Sequence, residues 1–174
     1  MREYMRILIV SDTHRNDRNL REVLEKVAPV DMLIHCGDTE GSEYYIEQIA
    51  GCPVHIVAGN NDFFTDMPRE EEFMVGDYKV WLTHGHQYYV YMGNDAIKEE
   101  ARARGANIVM YGHTHRPLID QAKTVYDVTT VNPGSISYPR QEGRRPSYVI
   151  MEVDRFGKLI IISITCKKLR FAEK

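Results

Sequence analysis

The chain has 174 residues, of which 43% are hydrophobic and 27% charged, a composition typical of a soluble globular protein. Its formal net charge of −3 at pH 7 argues against the strongly basic surface of a nucleic-acid-binding domain. No apolar run reaches the roughly 18 residues that a membrane-spanning helix needs. We therefore predict one domain over residues 1–174, with neither a membrane nor nucleic acid as a partner.

The cysteines and the first residues predict where the protein works. Cys36, Cys52 and Cys166 lie far apart and form no Cys-x-x-Cys pair, which argues against disulfides and zinc knuckles. The N-terminal residues lack the apolar region of a signal peptide. Both observations favour a cytoplasmic location. Two short basic groups, 140–145 and 167–170, are predicted to be solvated surface.

The first half of the chain alternates between predicted strands and predicted helices. Short apolar runs predict strands over 6–10, 32–36 and 54–58. Apolar residues at helical spacing predict a helix over 16–28, which Pro29 ends, and a second helix over 42–49 with Ser42 as its cap. This alternation indicates βαβ units and a largely parallel sheet.

The second half of the chain changes to predicted antiparallel structure. Strands at 72–75 and 79–83 flank Gly76-Asp77 and predict a hairpin. A helix over 94–104 ends at Gly105, and a buried strand follows over 107–111. Residues typical of strands then fill 125–131, 148–153 and 159–165, with a turn at Phe156-Gly157. We expect these last three strands to form an antiparallel sheet stacked on the first sheet.

Polar residues suited to chemistry follow directly after five of the predicted strands. The five clusters are Ser11-Asp12-Thr13-His14, Gly37-Asp38, Gly59-Asn60-Asn61-Asp62, Thr83-His84-Gly85-His86 and Gly112-His113-Thr114-His115. Because ligands of open α/β sheets bind beyond the carboxyl ends of the strands, we expect the clusters to meet at one edge. Each cluster alone is typical of a turn, a helix cap or a hydrogen-bonded histidine. Together, the carboxylates and imidazoles would be costly to bury without a cation, which favours a metal site.

The last cluster raises the question of where its two imidazoles point. In an extended segment, residues two apart project to the same side, so His113 and His115 are predicted to aim at one place. Gly112 would let the backbone approach that place closely.

The ordered pattern D-x-H, G-D, G-N-x-D, H and G-H-x-H resembles the signature of the calcineurin-like metallophosphoesterases. The short length and the later segment NPGS at 132–135 are most similar to the small bacterial and archaeal phosphodiesterase subgroup. This resemblance implies an α/β fold, a four-layer αββα sandwich of two mixed β-sheets flanked by helices. It also implies a phosphoric ester hydrolase with a small phosphodiester as substrate.

The resemblance further implies a centre of two divalent metal ions with a bridging hydroxide that attacks phosphorus in line. Asp12, His14 and His115 would hold one ion, Asn60, His84 and His113 would hold the other, and Asp38 would bridge the two. A ligand set of oxygen and nitrogen atoms favours transition metals over Mg²⁺. We expect Mn²⁺ first, with Ni²⁺, Fe²⁺, Co²⁺ or Zn²⁺ as alternatives.

Asn61 and His86 are the candidate catalytic residues beside the ligands. Many members of the family carry a histidine where this chain has Asn61, and that histidine contacts phosphate and protonates the leaving group. Asn61 can donate a hydrogen bond but cannot act as an acid near neutral pH. Asn61 at this position therefore points to activated leaving groups, to another acid or to modest turnover. His86 is either that acid, a group supporting the ligands, or a structural residue.

The sequence leaves open two other functions, a protein-binding scaffold and a nuclease, as well as the role of three tyrosines and the oligomeric state. A retromer subunit of the same fold is a protein-binding scaffold, but every expected ligand type is present in this chain. A nuclease would need more Lys and Arg for phosphate contacts. Tyr88, Tyr89 and Tyr91 could stack on an aryl or nucleoside group, or else fill the core or a subunit interface. Relatives of this size lead us to expect a homodimer or a larger homo-oligomer.

Overall fold

The computed structural model describes residues 4–166, so the predicted basic group at 167–170 lies outside the described residues. The elements are β1 (Tyr4–Val10), α1 (Arg18–Val27), β2 (Met32–His35), α2 (Glu43–Ala50), β3 (Val54–Ile56), β4 (Glu70–Val75), β5 (Tyr78–Thr83), a 3₁₀ turn (His86–Tyr88), α3 (Asp95–Ala103), β6 (Ile108–Met110), β7 (Pro117–Asp120), β8 (Thr129–Pro133), β9 (Ser147–Asp154) and β10 (Leu159–Thr165). Within the described residues, no helix combines the length and the apolar character needed to cross a membrane.

The strands form two mixed sheets of five strands each. The first sheet has the order β10-β9-β1-β2-β3, and the second has the order β4-β5-β6-β8-β7. β1, β2 and β3 run parallel, as do β5, β6 and β8, so each sheet has a parallel centre. The polar clusters follow the carboxyl ends of these parallel strands, so the topology of the sheets brings the clusters together.

Alternation along the central strands buries both faces of both sheets. Ile7 and Ile9 of β1 face the second sheet, whereas Leu8 and Val10 pack against α1 and α2. In the second sheet, Trp81 and its neighbours pack against α3. The layers are therefore helices, sheet, sheet and helix. This confirms the predicted αββα sandwich.

The three predicted helices are confirmed within two residues at each end, and the hairpin over Gly76-Asp77 is confirmed by antiparallel pairing of β4 with β5. Ser42 lies at the N-cap of α2, but its hydroxyl donates to the carbonyl of Thr39 at 3.1 Å and makes no capping hydrogen bond. The proposed capping contact is therefore wrong. The basic group at 140–145 is exposed at Arg140, Arg144 and Arg145, as predicted.

The expectation that the last three predicted strands form an antiparallel sheet of their own, stacked on the first sheet, is wrong. β8 lies inside the second sheet and runs parallel to β6, while β9 and β10 extend the first sheet beside β1. β9 explains the difference, because Tyr148 and Ile150 pack on the helix side while Val149 and Met151 pack between the sheets. A strand that is apolar on both faces is best buried when it joins an existing sheet between two layers. Residues 125–128 precede β8, and β7 was not predicted.

Candidate metal centre

The five polar clusters meet where the carboxyl ends of the two sheets face each other. Backbone hydrogen bonds join them, since the amide of Asp12 donates to the carbonyl of Gly37 at 3.0 Å and that of Gly112 donates to His84 at 3.1 Å. The clusters holding Asp12, Asp38 and Asn60 follow strands of the first sheet, and those holding His84 and His113 follow strands of the second. The site therefore straddles the two sheets.

Asp12 lies at the centre of this site. Its Oδ1 atom is buried and has no hydrogen-bond partner among the described residues. Three imidazole Nε2 atoms surround that oxygen, at 3.1 Å from His115, 3.8 Å from His14 and 3.9 Å from His84. The ligand atoms of Asp12, His14 and His115 all lie within 4.8 Å of one another. A buried carboxylate oxygen faced by nitrogen lone pairs is the environment of a bound cation.

A second group of potential ligand atoms contains Asp12, Asp38 and His84, again all within 4.8 Å of one another. The Oδ2 atom of Asp38 lies 3.4 Å from Nε2 of His84 and 3.8 Å from Nε2 of His14. This carboxylate, a member of the second group, thus also approaches His14 of the first group, as a bridging ligand would. Asp12 belongs to both groups, so two carboxylates rather than one occupy the space between them.

The tautomers of three histidines are set by acceptors at Nδ1. Nδ1 of His14 lies 2.6 Å from Oε1 of Glu40, and Nδ1 of His115 lies 2.6 Å from the carbonyl of Tyr138. Nδ1 of His84 lies 2.7 Å from the carbonyl of Cys36. A proton on each Nδ1 leaves the lone pair of Nε2 directed into the site, which is the usual support of metal-binding histidines.

Asn60 and His113 complete the seven predicted ligands. Oδ1 of Asn60 lies 3.1 Å from Nε2 of His84, so the amide oxygen reaches the second group. The ring of His113 stands beside it, 5.3 Å from the ring of His84 between centroids, and its backbone amide donates to Asp12 at 3.2 Å. The structure brings all seven side chains to one place, although His113 belongs to neither group of converging ligand atoms.

The backbone of the cluster around His113 is not extended. His113 and His115 have φ values of 68° and 57°, and Asp12, His14 and Asp38 also have positive φ. The expectation that alternation along an extended segment aims both rings at one place is therefore wrong. Left-handed turns aim them instead, each costing about 1–3 kcal/mol that the surrounding contacts must offset. Aspartate and histidine are among the residues that tolerate this conformation best.

Gly112 confirms the expected close approach. A Cβ atom at this position would collide with Oγ of Ser11 and would lie 2.7 Å from Oδ2 of Asp12. Gly59 has the same role on the other side, because a Cβ there would collide with the carboxylate of Asp38. Both glycines leave room for the two central carboxylates.

The electrostatics of the site favour a cation beside His84. Burial alone would lower the pKa of His84, but hydrogen bonding and charge from Asp38, together with the charge of Asp12, raise it to about 9. Burial lowers the pKa values of His86 and His113, and the nearby His84 lowers them further. The carboxylates thus impose a negative potential at the centre, while the outer imidazoles favour the neutral form that binds metals.

His35 supports the site, but the sequence did not predict this role. A single histidine within an apolar strand is typical of a buried core residue. Burial lowers its pKa to about 4, so the ring is neutral. The amide of Gly37 donates to Nδ1 at 3.1 Å, so Nε2 carries the proton and donates to Oγ1 of Thr13 at 3.1 Å. His35 therefore ties the Asp12 loop to the Asp38 loop.

Asp62 is the second supporting residue without a predicted role, although it ends the G-N-x-D pattern. Its carboxylate accepts the backbone amides of Asp38 at 2.8 Å, Gly59 at 2.7 Å and Glu40 at 2.6 Å. These three bonds fix the loop that presents Asp38 and Glu40.

The two candidate catalytic residues lie beside this centre. The side-chain amide of Asn61 donates to Oδ2 of Asp38 at 2.8 Å, and its backbone amide donates to Oδ1 at 2.8 Å. Nδ1 of His86 is buried without a hydrogen-bond partner among the described residues, and its ring lies 5.5 Å from that of His84 and 6.0 Å from that of His113. Both residues are therefore close enough to serve a substrate at the centre.

The three tyrosines separate into two roles. Tyr88 donates to Glu70 at 2.6 Å and its ring meets Trp81 edge-on at 5.1 Å, so it belongs to the packing around α3. Tyr89 and Tyr91 are exposed, with their ring centroids 6.3 Å apart. Only these two are available to a ligand.

A sequence profile of the calcineurin-like phosphoesterase superfamily domain matches residues 5–155. The chain belongs to this superfamily. A probable metallophosphoesterase from Bacillus subtilis is 33% identical over 151 residues, covering 86% of this chain and 85% of that protein. A phosphodiesterase from Methanocaldococcus jannaschii is 32% identical over 149 residues, covering 75% of this chain and 83% of that protein.

The fold is shared more widely than the sequence. The structure of vacuolar protein sorting 29 from Cryptosporidium parvum matches with a TM-score of 0.72 at 20% identity. The match covers 96% of this chain and 100% of that chain. At this identity the likeness concerns the fold alone. Calcineurin-like phosphoesterases use divalent metal ions, and the unpartnered oxygen of Asp12 and the imidazoles around it fit such ions.

Proposed function

We propose that this chain is a metal-dependent phosphodiesterase with two divalent transition-metal ions per chain. The observation that carries the proposal is the buried, unpartnered Oδ1 of Asp12, which three imidazole Nε2 atoms face. The superfamily match supports a phosphoric ester hydrolase, and the relative named as a phosphodiesterase supports the diester.

The first group of converging atoms supports a site in which Asp12, His14 and His115 would hold one ion. Asn60, His84 and His113 would hold the other ion, and of these three His84 belongs to the second group while Asn60 lies beside it. Asp38, which approaches both His84 and His14, would contact both ions. When bound, two such ions supply a hydroxide nucleophile at neutral pH and stabilise the charge that develops on the phosphoryl oxygens. Mn²⁺ is the expected metal, and Ni²⁺, Fe²⁺, Co²⁺ or Zn²⁺ also suit ligands made of carboxylate, amide and imidazole.

The other residues of the site position the substrate and its leaving group. Asn61 reaches the centre through its amide, which can turn from Asp38 to donate to a phosphoryl or leaving oxygen. It has no proton to give near neutral pH, so good leaving groups such as phenolates are favoured. His86, whose Nδ1 has no partner, is the candidate to hold a proton near that oxygen.

The test is hydrolysis of bis(p-nitrophenyl) phosphate by metal-stripped protein reloaded with single metals. We expect no turnover without metal, recovery with Mn²⁺ or Ni²⁺, and weaker recovery with Mg²⁺. Asp38→Asn is the matched negative variant, since it keeps the shape of the side chain but removes its charge. Absence of turnover with all of these metals, in protein shown to bind two ions, would refute the proposal.

A protein-binding scaffold is the second candidate, and the fold shared with vacuolar protein sorting 29 is the observation that favours it. Exposed aromatic side chains beside the site, Phe63 and Phe64, would suit such a contact. A scaffold predicts metal binding without hydrolysis. A nuclease predicts salt-dependent binding of DNA or RNA, for which the net charge of −3 is unfavourable.

We further propose a homodimer or larger homo-oligomer working in the cytoplasm. Exposed aromatic residues such as Tyr44 and Phe156 suit a subunit interface, and the three cysteines are free, as in a reducing compartment. Light scattering at micromolar concentration tests the oligomer, and a monomeric mass would reject it.

A further inference from the structure

A groove of about 630 Å³ opens beside His113. We call it the arginine groove, and its lining includes Tyr91, Met92, His113, Thr114, Arg116 and Arg140. Because His113 and Thr114 belong to the last polar cluster, a substrate bound at the metals would reach directly into this space.

The charge of the groove is one-sided. Its lining contains the exposed side chains of Arg116 and Arg140 but neither aspartate nor glutamate. Over residues 4–166, neither guanidinium forms an ion pair or a side-chain hydrogen bond. By contrast, Arg104 pairs with Glu70 at 2.8 Å and with Glu100 at 2.8 Å. Two unpaired guanidiniums at one groove form a site for an anion, which guanidinium groups bind in a forked geometry.

Both arginines are held in register with a metal-binding residue. Arg116 directly follows His115 in the chain, and the backbone amide of Arg140 donates to the carbonyl of His115 at 3.0 Å. His115 in turn has its Nδ1 fixed on the carbonyl of Tyr138. Short connections thus fix the backbone positions from which the two guanidiniums extend relative to the centre.

Part of the remaining lining of the groove is apolar and accessible. Tyr91 is 66% exposed, Met92 79% and Leu118 44%. Aromatic and thioether side chains of this kind offer a stacking surface for a flat ring, and large exposed apolar groups lining a concave surface are typical of ligand sites.

We propose that the arginine groove selects the non-reacting half of the phosphodiester. The selected half is a nucleoside-like ring system that lies on Tyr91 and Met92 and carries a second phosphate, which Arg116 and Arg140 bind. The preferred substrate class is therefore a nucleotide diester with an additional terminal phosphate. This inference rests on the proposed phosphodiesterase function.

The test compares two chromogenic diesters that differ by one phosphate. One is the p-nitrophenyl ester of thymidine 5′-phosphate, and the other is the same ester with a 3′-phosphate. We expect the Mn²⁺-loaded wild-type protein to favour the phosphorylated ester by about tenfold or more in kcat/KM, the scale of one charged hydrogen-bond pair. Arg116→Gln and Arg140→Gln should each bring this ratio close to one. Arg145→Gln, an exposed arginine outside the groove, is the matched control and should keep the wild-type ratio.

A binding measurement separates this inference from the proposed function. Calorimetry with metal-loaded protein should show thymidine 3′,5′-bisphosphate binding about tenfold tighter than thymidine 5′-monophosphate, and both arginine variants should lose the difference. Equal binding of the two nucleotides by wild-type protein, or an unchanged affinity ratio in the variants, refutes the proposed role of the arginine groove. If the metal-loaded wild-type protein hydrolyses neither ester but keeps the expected affinity ratio, the proposed phosphodiesterase function is refuted instead.

Discussion

Replacing Glu40 tests how the site holds its metal, because this carboxylate touches the centre only through His14. Its Oε1 lies 2.6 Å from Nδ1 of His14, a length typical of a charge-assisted hydrogen bond. Partners of this kind fix the ring and raise the basicity of the ligand, and losing one costs roughly 10–100-fold in metal affinity. Since the Glu40 side chain is 35% exposed, solvent screens part of its charge.

We therefore expect Glu40→Gln, which keeps an acceptor but removes the charge, to weaken binding of one ion by about tenfold. That factor corresponds to about 1.4 kcal/mol. Glu40→Ala, which removes the acceptor as well, should approach the hundredfold end of the range. Competition with a chromophoric chelator for Mn²⁺ or Zn²⁺ at pH 7.5 measures both affinities.

Glu71→Gln is the matched control for this experiment. Oε2 of Glu71 lies 2.7 Å from Nδ1 of His55, so the pair has nearly the same geometry, but it belongs to neither group of converging ligand atoms. We expect its metal affinities to equal those of the wild type. An unchanged affinity in both Glu40 variants would refute the role of the carboxylate, and an equal loss in Glu71→Gln would assign the effect to general charge.

Three further predictions concern the centre. Asp38→Ala should lower the occupancy of both metal sites, because the Asp38 carboxylate approaches both His14 and His84. His14→Ala should lower the occupancy of mainly one site. Metal content measured after gel filtration tests both expectations. In the metal-free protein the pKa of His84 is raised from 6.5 to about 9. The protonated ring therefore stabilises the folded state fully below pH 6.5, and this contribution to the free energy of unfolding is lost as the pH rises through 9. Metal must displace that proton, so affinity should rise about tenfold per pH unit between pH 7 and 8, and a pH-independent affinity would contradict this. Asn61→His should flatten the dependence of log kcat/KM on leaving-group pKa, and a wild-type slope that is already flat would show that another acid, such as His86, supplies the proton.

The position of the site could be predicted because its ligands lie at the ends of short apolar strands. Polar residues after five strands are a local feature of the sequence, and parallel strands bring their carboxyl ends to one edge. That rule needs no knowledge of distant contacts. It led to Asp12, Asp38 and His84, which the structure places within one group of ligand atoms.

The supporting contacts could not be predicted from the same pattern. Whether Glu40 meets His14, or Asp62 meets the amide of Asp38, depends on left-handed turns that local propensity does not show. His35 sits in an apolar strand, where burial rather than spacing gives it a role. The pairing of β9 with β1 was likewise not predicted. Strand propensity describes a half-buried surface but does not identify the neighbouring strand.

The position of the centre across the two sheets has a consequence for folding. His14 and His115 are 101 residues apart in sequence, yet their Nε2 atoms are 3.2 Å apart. In the unfolded chain, bringing two residues this far apart into contact costs about 4 kcal/mol in loop-closure entropy. This cost opposes chelation of an ion by the unfolded chain. Metal loading should therefore follow the docking of the sheets rather than nucleate it. Once loaded, the ion acts as a cross-link between the two halves, and its removal should speed amide hydrogen exchange in both of them together.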